Sequence, residues 1–448
     1  MTKQHPGTHS PEHRSSNKAF FWALLFSLSG FATLATGYWV LLENEAIELA
    51  SKSKVSRSPE LGEKVLIKNP LTEEKVILND SALSQAWGLK NTSAMKAWEV
   101  SAGHPNKVVA VIDTGCDVQH PDLKKNLWVN KGEIPNNGID DDKNGFVDDV
   151  NGWNFVSNNN DVKDNHGHGT HVAGIIGAEA GNNTGIAGVA PFVSLMCLKY
   201  FDPKVAKSDN LKNTIEAIRY AIRMKVPVIN YSGGGTEYSA LERAAIADAE
   251  RAGILFVAAA GNERSNSDQF KYYPADYGLS NIISVTAIDP QTQVLPSSNF
   301  GTETVDLAAP GMDILSTFPD NSYGKLTGTS QATAFVTGAA VLIQAARPAF
   351  SFLEVKRHIL SNGDRTENLT AKTRTSRQLN LHKALTVLDS NVTLSGMISN
   401  PEVGTSRHFV AEPLPPQDGL SRLKSFGESV TKSIERRMSS TSESKPDL

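Results

Sequence analysis

Residues 108–115 read Val108-Val109-Ala110-Val111-Ile112-Asp113-Thr114-Gly115. A short, continuous apolar run rich in β-branched residues predicts a strand buried on both faces. The run ends in a carboxylate and then a glycine turn. In open parallel sheets, ligands and catalysis gather at the carboxyl ends of strands, so Asp113 stands where chemistry is done. Taken alone, a turn or helix-capping aspartate explains the same residues. Similar apolar runs at 194–199, 226–230, 254–260 and 282–287 alternate with helix-like segments. In 210–224, Leu211, Ile215, Ile218 and Ile222 recur at helical spacing, and Ala and Leu dominate 238–252. The alternation predicts an α/β fold, a three-layer doubly wound parallel sheet covered on both faces.

Two further segments carry chemistry. The first is His166-Gly167-His168-Gly169-Thr170-His171-Val172-Ala173-Gly174. A histidine-dense stretch raises a metal site, but there is no HExxH spacing and no nearby cysteine. A single imidazole at a glycine-lined helix start can instead act as a general base. The second is Gly328-Thr329-Ser330-Gln331-Ala332, which opens a helix of small residues. Unpaired N–H groups and the positive dipole end at a helix N-terminus favour a developing oxyanion. A plain N-cap serine is the alternative at that single position.

Together these segments give the order Asp113, His168, Ser330, and the chain resembles the subtilisin-like serine peptidases, the subtilases. Further matching motifs are Gly188-Val189-Ala190-Pro191, Val228-Ile229-Asn230-Tyr231-Ser232-Gly233-Gly234-Gly235, Ala258-Ala259-Ala260-Gly261-Asn262-Glu263 and Ala308-Ala309-Pro310-Gly311. The resemblance runs from about 80 to 389. It implies a subtilisin-like fold and an acyl-enzyme mechanism. Ser330 is then the nucleophile, His168 the general base and Asp113 its orienting partner, with Asn262 in the oxyanion hole. It also implies that protein or peptide substrates pair along Ser232-Gly233-Gly234. Gly234, Ala259 and Gly261 then bound the pocket for the residue before the scissile bond. Tyr272 falls where relatives often keep a small or polar residue, so this pocket is expected to be shallow or re-shaped. Gln331 stands where the family commonly carries an oxidisable methionine. Two other activity classes fit the same motifs, a catalytically silent subtilase-like binding protein and a peptide ligase using the same acyl-enzyme.

Residues 138–151 are acidic and glycine-punctuated. Counting from Asp140, side-chain oxygens fall at Asp140, Asp142, Asn144 and Asp148, with the Phe146 carbonyl between the last two. That is the oxygen spacing of a calcium loop, although Asn151 replaces the final glutamate. The expectation is a structural Ca²⁺, against the alternative of a solvated acidic turn. Asp122 and Asn182 match a second calcium position of the family, without an obvious N-terminal oxygen ligand.

The chain has 448 residues, 40% hydrophobic and 21% charged, which excludes global disorder and a polytopic membrane protein. Lys+Arg 44 against Asp+Glu 48 gives −4, which argues against nucleic-acid binding by bulk positive charge. Residues 19–42 carry no charge and are long enough to span about 30 Å of hydrocarbon at about 1.5 Å per residue. Arg14 and Lys18 precede this run and Glu43 and Glu45 follow it, so the bulk of the chain is expected outside the cytoplasm. The run reads as a membrane signal anchor, or as a signal peptide cut after Ala35. The organisation is then a polar segment 1–18, the apolar segment 19–42, a charged linker or short propeptide 43–78, a peptidase domain 79–389 and a Ser/Pro-rich tail 390–448. Val65-Leu66-Ile67 and Val76-Ile77-Leu78 suggest a short strand pair in the linker. In the tail, apolar and basic residues interleave at helical spacing over 420–438, suggesting an amphipathic helix. Two cysteines exclude a disulfide scaffold and a Cys₄ metal site. Cys116 and Cys197 are expected as buried free thiols, with a disulfide as the alternative.

Overall fold

The apolar run 108–112 forms the body of a strand, Gly103–Asp113, whose residues alternate between two hydrophobic cores. Val109 and Val111 enter one core and Ala110 and Ile112 the other, because successive side chains leave a strand on opposite sides. The computed structural model describes residues 66–387. In chain order its strands are β1 (Leu66–Lys68), β2 (Lys75–Ile77), β3 (Gly103–Asp113), β4 (Gly152–Asn154), β5 (Phe192–Lys199), β6 (Val228–Tyr231), β7 (Leu255–Ala259), β8 (Ile282–Ile288), β9 (Leu307–Pro310), β10 (Ile314–Phe318), β11 (Ser322–Leu326), β12 (Asp364–Arg365) and β13 (Arg377–Gln378). The helices are α1 (Trp87–Asn91), α2 (Ala94–Trp98), α3 (His168–Gly177), α4 (Asn210–Arg223), α5 (Ala240–Arg251), α6 (Thr329–Ala346), α7 (Phe352–Ser361) and α8 (Leu381–Thr386).

Nine strands form the main sheet in the order β12-β13-β9-β8-β7-β6-β3-β5-β4. All its pairings are parallel except β12 with β13. Residues from α3, α6, α7 and α8 share the core on one face, and residues from α4 and α5 share the core on the other. This is the three-layer doubly wound α/β arrangement expected from the alternation. Helix α6 is buried from Thr329 to Gln344, so it is an interior helix rather than an amphipathic one. Small residues permit this: a Cβ on Gly338 would come 2.5 Å from Val189 Cβ. Local signals fix the outer helices. Asp209 and Ser239 cap α4 and α5 through their side chains, and Ser351 with Glu354 forms a capping box on α7.

Register brings the functional ends together. Asp113 ends β3, Tyr231 ends β6 and Ala259 ends β7, with Ile112 opposite Tyr231 and Tyr231 opposite Ala258. The carboxyl edge of three neighbouring strands thus carries Asp113, Ser232 and the turn to Asn262.

The two small clusters upstream form an antiparallel pair, with Leu66 opposite Ile77. Among the described residues no helix is long and apolar enough to cross a membrane. The segments 1–18 and 19–42, most of the linker and the tail with its 420–438 stretch lie outside the described residues.

One expectation is corrected. Cys116 and Cys197 are not free thiols but form a disulfide, with Cα atoms 6.0 Å apart. Cys197 lies on β5 opposite Val111 of β3. Cys116 sits in the turn after Asp113, where its N–H donates to Val162 O at 2.9 Å. That turn folds back over the neighbouring strand and brings the two residues together at a Cα separation usual for a bridge.

Candidate functional site

Asp113 is held at the end of β3, 2% exposed. Its Oδ1 accepts the Thr114 N–H at 2.8 Å and lies 2.8 Å from His168 Nδ1. His168 is the first residue of α3, after Gly167 at φ 96°. With its Nδ1 hydrogen given to Asp113, the neutral ring keeps an unprotonated Nε2, which is the atom a general base uses. Burial pushes the His168 pKa down, but the Asp113 charge and hydrogen bond, with Asp164 behind them, outweigh it. The net shift is upward from 6.5.

Ser330 is the second residue of α6, whose start follows Gly328. Its Oγ donates to the Ser232 carbonyl at 3.2 Å, and Ser232 Oγ donates back to the Ser330 carbonyl at 3.2 Å. The Asp113–His168 contact is therefore formed, while the Ser330 hydroxyl is turned to Ser232. Catalytic hydrogen bonds of this kind are often long or unaligned until substrate binds. Asn262 is oriented from behind: its Oδ1 accepts from the Thr329 N–H at 3.0 Å and from Thr329 Oγ1 at 3.2 Å. This leaves the Nδ2 donor of Asn262 beside the N-terminus of α6, where an oxyanion would form.

Ser232, Gly233 and Gly234 continue from β6, and Gly235 bridges Tyr273. Gly234 adopts φ 153°, and a Cβ there would meet Tyr273 O at 2.4 Å and Tyr272 Cε1 at 2.6 Å. A Cβ on Gly261 would come 2.9 Å from Tyr272 Cδ2. The Tyr272 ring, 7% exposed, thus lies against both Gly234 and Gly261. Ala259, 3% exposed, ends the strand beside them. Gln331, next to Ser330, is 2% exposed.

The other histidines of the segment do different work. His171 is fully buried, and its Nε2 lies 2.9 Å from Ile314 O and 3.2 Å from Gly324 O. Burial drives its pKa down to about 3, so it stays neutral. His166 is a loop residue whose ring centroid is 6.2 Å from that of His168.

The acidic loop assembles differently from the spacing. Carboxylate oxygens of Glu133, Asp140 and Asp142 lie within 4.8 Å of one another. Asp148 does not join them: its oxygens accept the N–H groups of Asn137 at 3.1 Å and Gly138 at 3.0 Å. The positive φ values at Gly145 (94°) and Asp148 (56°) turn the chain and aim that carboxylate elsewhere. Asn144 turns its Oδ1 to the Phe146 N–H and its Nδ2 to Asp142 and Asp149. The Phe146 ring packs edge-on against Trp153 and Tyr220. Glu133, absent from the sequence reading, enters from before the loop. Three hard oxygen donors converging in one place suit a divalent cation such as Ca²⁺.

Asp122 and Asn182 do meet, Asn182 Nδ2 donating to Asp122 Oδ1 at 2.8 Å. Asp80 reaches the same region from the N-terminal side, its oxygens accepting the N–H of Gly181, next to Asn182, at 2.8 and 3.0 Å. Burial raises its pKa to about 6, against the lowering effect of that N–H. Also missed were Asp164 and Lys199. Lys199 is 1% exposed; its Nζ donates to Lys163 O at 2.7 Å and pairs with Asp202 at 2.8 Å. A lysine at the end of an apolar run was the only sequence signal for it.

Residues 105–380 match the sequence profile of the subtilase family. Subtilisin-like protease 1 of Plasmodium berghei (strain Anka) is 34% identical over 317 residues, covering 66% of this chain and 52% of that protein. The major intracellular serine protease of Bacillus subtilis (strain 168) is 39% identical over 259 residues, 57% of this chain and 74% of that one. The thermophilic serine proteinase of Bacillus sp. (strain AK1) is 36% identical over 279 residues, 62% of each chain. The chain thus spans about half the length of the Plasmodium relative it matches.

Proposed function

The chain belongs to the subtilase family, and from that premise we propose that it is a serine endopeptidase acting outside the cytoplasm on protein or peptide substrates. The observation that carries the reading is the 2.8 Å contact of Asp113 with His168, at the same sheet edge as Ser330 and Asn262. Ser330 Oγ leaves the Ser232 carbonyl, gives its proton to His168 Nε2 and attacks the scissile carbonyl. Asp113 stabilises the imidazolium that forms. The oxyanion receives the Ser330 N–H and Asn262 Nδ2. His168 then protonates the leaving amine, and water hydrolyses the acyl-enzyme. The substrate strand pairs along Ser232-Gly233-Gly234. Because Tyr272 stands against Gly234 and Gly261, the residue before the scissile bond is small.

The test is covalent labelling of Ser330 by a fluorophosphonate, followed by a peptide library varied at that residue. Labelling lost in Ser330→Ala, with cleavage after Gly, Ala or Ser, is the expected result. No labelling of the folded protein favours the silent binding protein. Cleavage after large aromatic residues overturns the small-pocket part, and transfer to an added amine at the expense of hydrolysis favours the ligase.

Two observations support the location. Disulfides persist in oxidising compartments, and Cys116–Cys197 is one. The uncharged run 19–42, flanked by basic then acidic residues, is of the length that exports a chain.

A structural Ca²⁺ is part of the same proposal, held by Glu133, Asp140 and Asp142. It would offset the mutual repulsion of these carboxylates and take no part in the chemistry. Such a cation at about 100 times its Kd stabilises by about 2.7 kcal/mol. Chelation with EDTA is therefore expected to lower Tm by several degrees and leave kcat at 25 °C unchanged. A Tm indifferent to both chelator and added Ca²⁺ would count against the site.

A further inference from the structure

We infer that Asp164 is a positioning residue for catalysis, whose one carboxylate locks the strand end carrying Asp113 to the helix start carrying His168. The inference rests on the peptidase reading of the site. Asp164 is 2% exposed. Its Oδ1 accepts from Thr114 Oγ1 at 2.9 Å, His166 N–H at 2.9 Å and Gly167 N–H at 2.8 Å. Its Oδ2 accepts from Thr170 N–H at 2.9 Å and Thr170 Oγ1 at 2.7 Å. Both oxygens are thus saturated, and the donors come from both sides of the Asp113–His168 pair.

The reason lies in how α3 begins. The first N–H groups of a helix need acceptors from outside its own ladder. The residue at the cap position is Gly167, which has no side chain to offer. Asp164 instead takes the N–H of Thr170, and Thr114 Oγ1 takes that of Gly169 at 2.9 Å. Thr114 directly follows Asp113, and its own hydroxyl hydrogen goes to Asp164. The start of α3 is therefore capped by the end of β3, with Asp164 as the joint. Thr170 Oγ1 returns the tie by accepting the Asp117 N–H at 3.0 Å. The contact is close: a Cβ on Gly169 would meet Gly115 O at 2.1 Å and Asp113 Cβ at 3.1 Å. Misplacing a catalytic group by about 1 Å can cost roughly 10²-fold in rate.

The ionisable groups facing His168 are Asp113 on β3, Asp164 before the helix, His166 in the same loop and His171 one turn on. Asp164 adds negative charge beside the imidazolium, second to Asp113. An asparagine at 164 removes that charge and turns an N–H₂ towards N–H donors.

Asp164→Asn is expected to lower kcat about 10- to 100-fold with KM little changed, and to move the acid limb of the kcat/KM profile to lower pH. Thr114→Val should give a smaller loss of kcat, and Thr114→Ser should recover most of it. These Thr114 variants read the joint if Asp164→Asn does not fold. Wild-type kcat and acid limb in Asp164→Asn, even with a lowered Tm, would overturn the inference. If the wild type neither labels with a fluorophosphonate nor cleaves peptides, the peptidase reading has failed. An NMR titration of His168 still decides the joint: an unmoved His168 pKa in Asp164→Asn overturns it, and a lowered one supports it.

Discussion

Replacing Asp113 by Asn is expected to cut kcat by about 10⁴-fold, roughly 5.5 kcal/mol of transition-state stabilisation, with a much smaller change in KM. The size follows from the tautomer. Asp113 is held 2.8 Å from His168 Nδ1, a distance that requires one hydrogen between them. A carboxylate has none to give, so the hydrogen is on Nδ1 and Nε2 is free to accept the Ser330 proton. An asparagine that turns its amide N–H₂ to Nδ1 forces the hydrogen onto Nε2, where it blocks proton transfer. The alternative asparagine rotamer keeps the right tautomer but offers no charge to stabilise the imidazolium. Both routes lose rate.

The pH dependence carries the same signature. A general base must be neutral, so kcat/KM rises with pH through the His168 pKa. In the wild type Asp113 and Asp164 hold that pKa above 6.5 despite burial. Without the Asp113 charge, only Asp164 remains to offset the burial penalty on the imidazolium. The acid limb should therefore start above 6.5 in the wild type and shift down in Asp113→Asn. Measured kcat/KM across pH 4–9 for both proteins checks this. Near wild-type turnover in the variant would remove Asp113 from the mechanism.

The resemblance singled out Asp113, His168 and Ser330, and local pattern supplied the element that each of them ends or opens. Asp113 stands where an apolar strand stops, His168 where glycines open a helix, and Ser330 at the head of a run of small residues. The structure gives each the predicted element: the end of β3, the first residue of α3 and the second residue of α6. Local pattern encodes such boundaries, because the strand or helix period is a local property. Asp164 was invisible for the opposite reason. It sits in a polar stretch with Asp161, Lys163 and Asn165, and only the return of Thr114 and Thr170 gives its carboxylate a role. The acidic loop shows the same limit. Linear spacing put Asp148 with Asp140 and Asp142, but a turn with three positive-φ residues, Lys143, Gly145 and Asp148, carries it away, and the carboxylate beside those two is that of Glu133. Asp80 meets Gly181 across a sequence separation of 101, beyond any pattern within a segment.

Removing the disulfide with Cys116→Ala and Cys197→Ala together is expected to destabilise the fold strongly while sparing most of the chemistry. The cross-link spans a sequence separation of 81, which in the chain-entropy account corresponds to about 4–5 kcal/mol. At about 2–4 °C per kcal/mol, Tm should fall by roughly 10 °C or more. The catalytic effect should be smaller, although Cys116 is only three residues beyond Asp113. That turn keeps its other ties: Thr114 to Asp164, the Cys116 N–H to Val162 O, and the Asp117 N–H to Thr170 Oγ1. With those intact, kcat at 25 °C should fall less than about 10-fold, since the geometry fixed within the turn is worth more to the triad than the bond behind it. Both cysteines are 0% exposed, so dithiothreitol should leave the folded wild type unaffected and act once unfolding exposes the bond. Scanning calorimetry of wild type and variant, with and without reductant, separates these effects. Two titratable thiols in unreduced, denatured protein from an oxidising compartment would disprove the bond, and an equal loss of kcat and stability would show that the disulfide, rather than Asp164, is what holds Asp113 to its base.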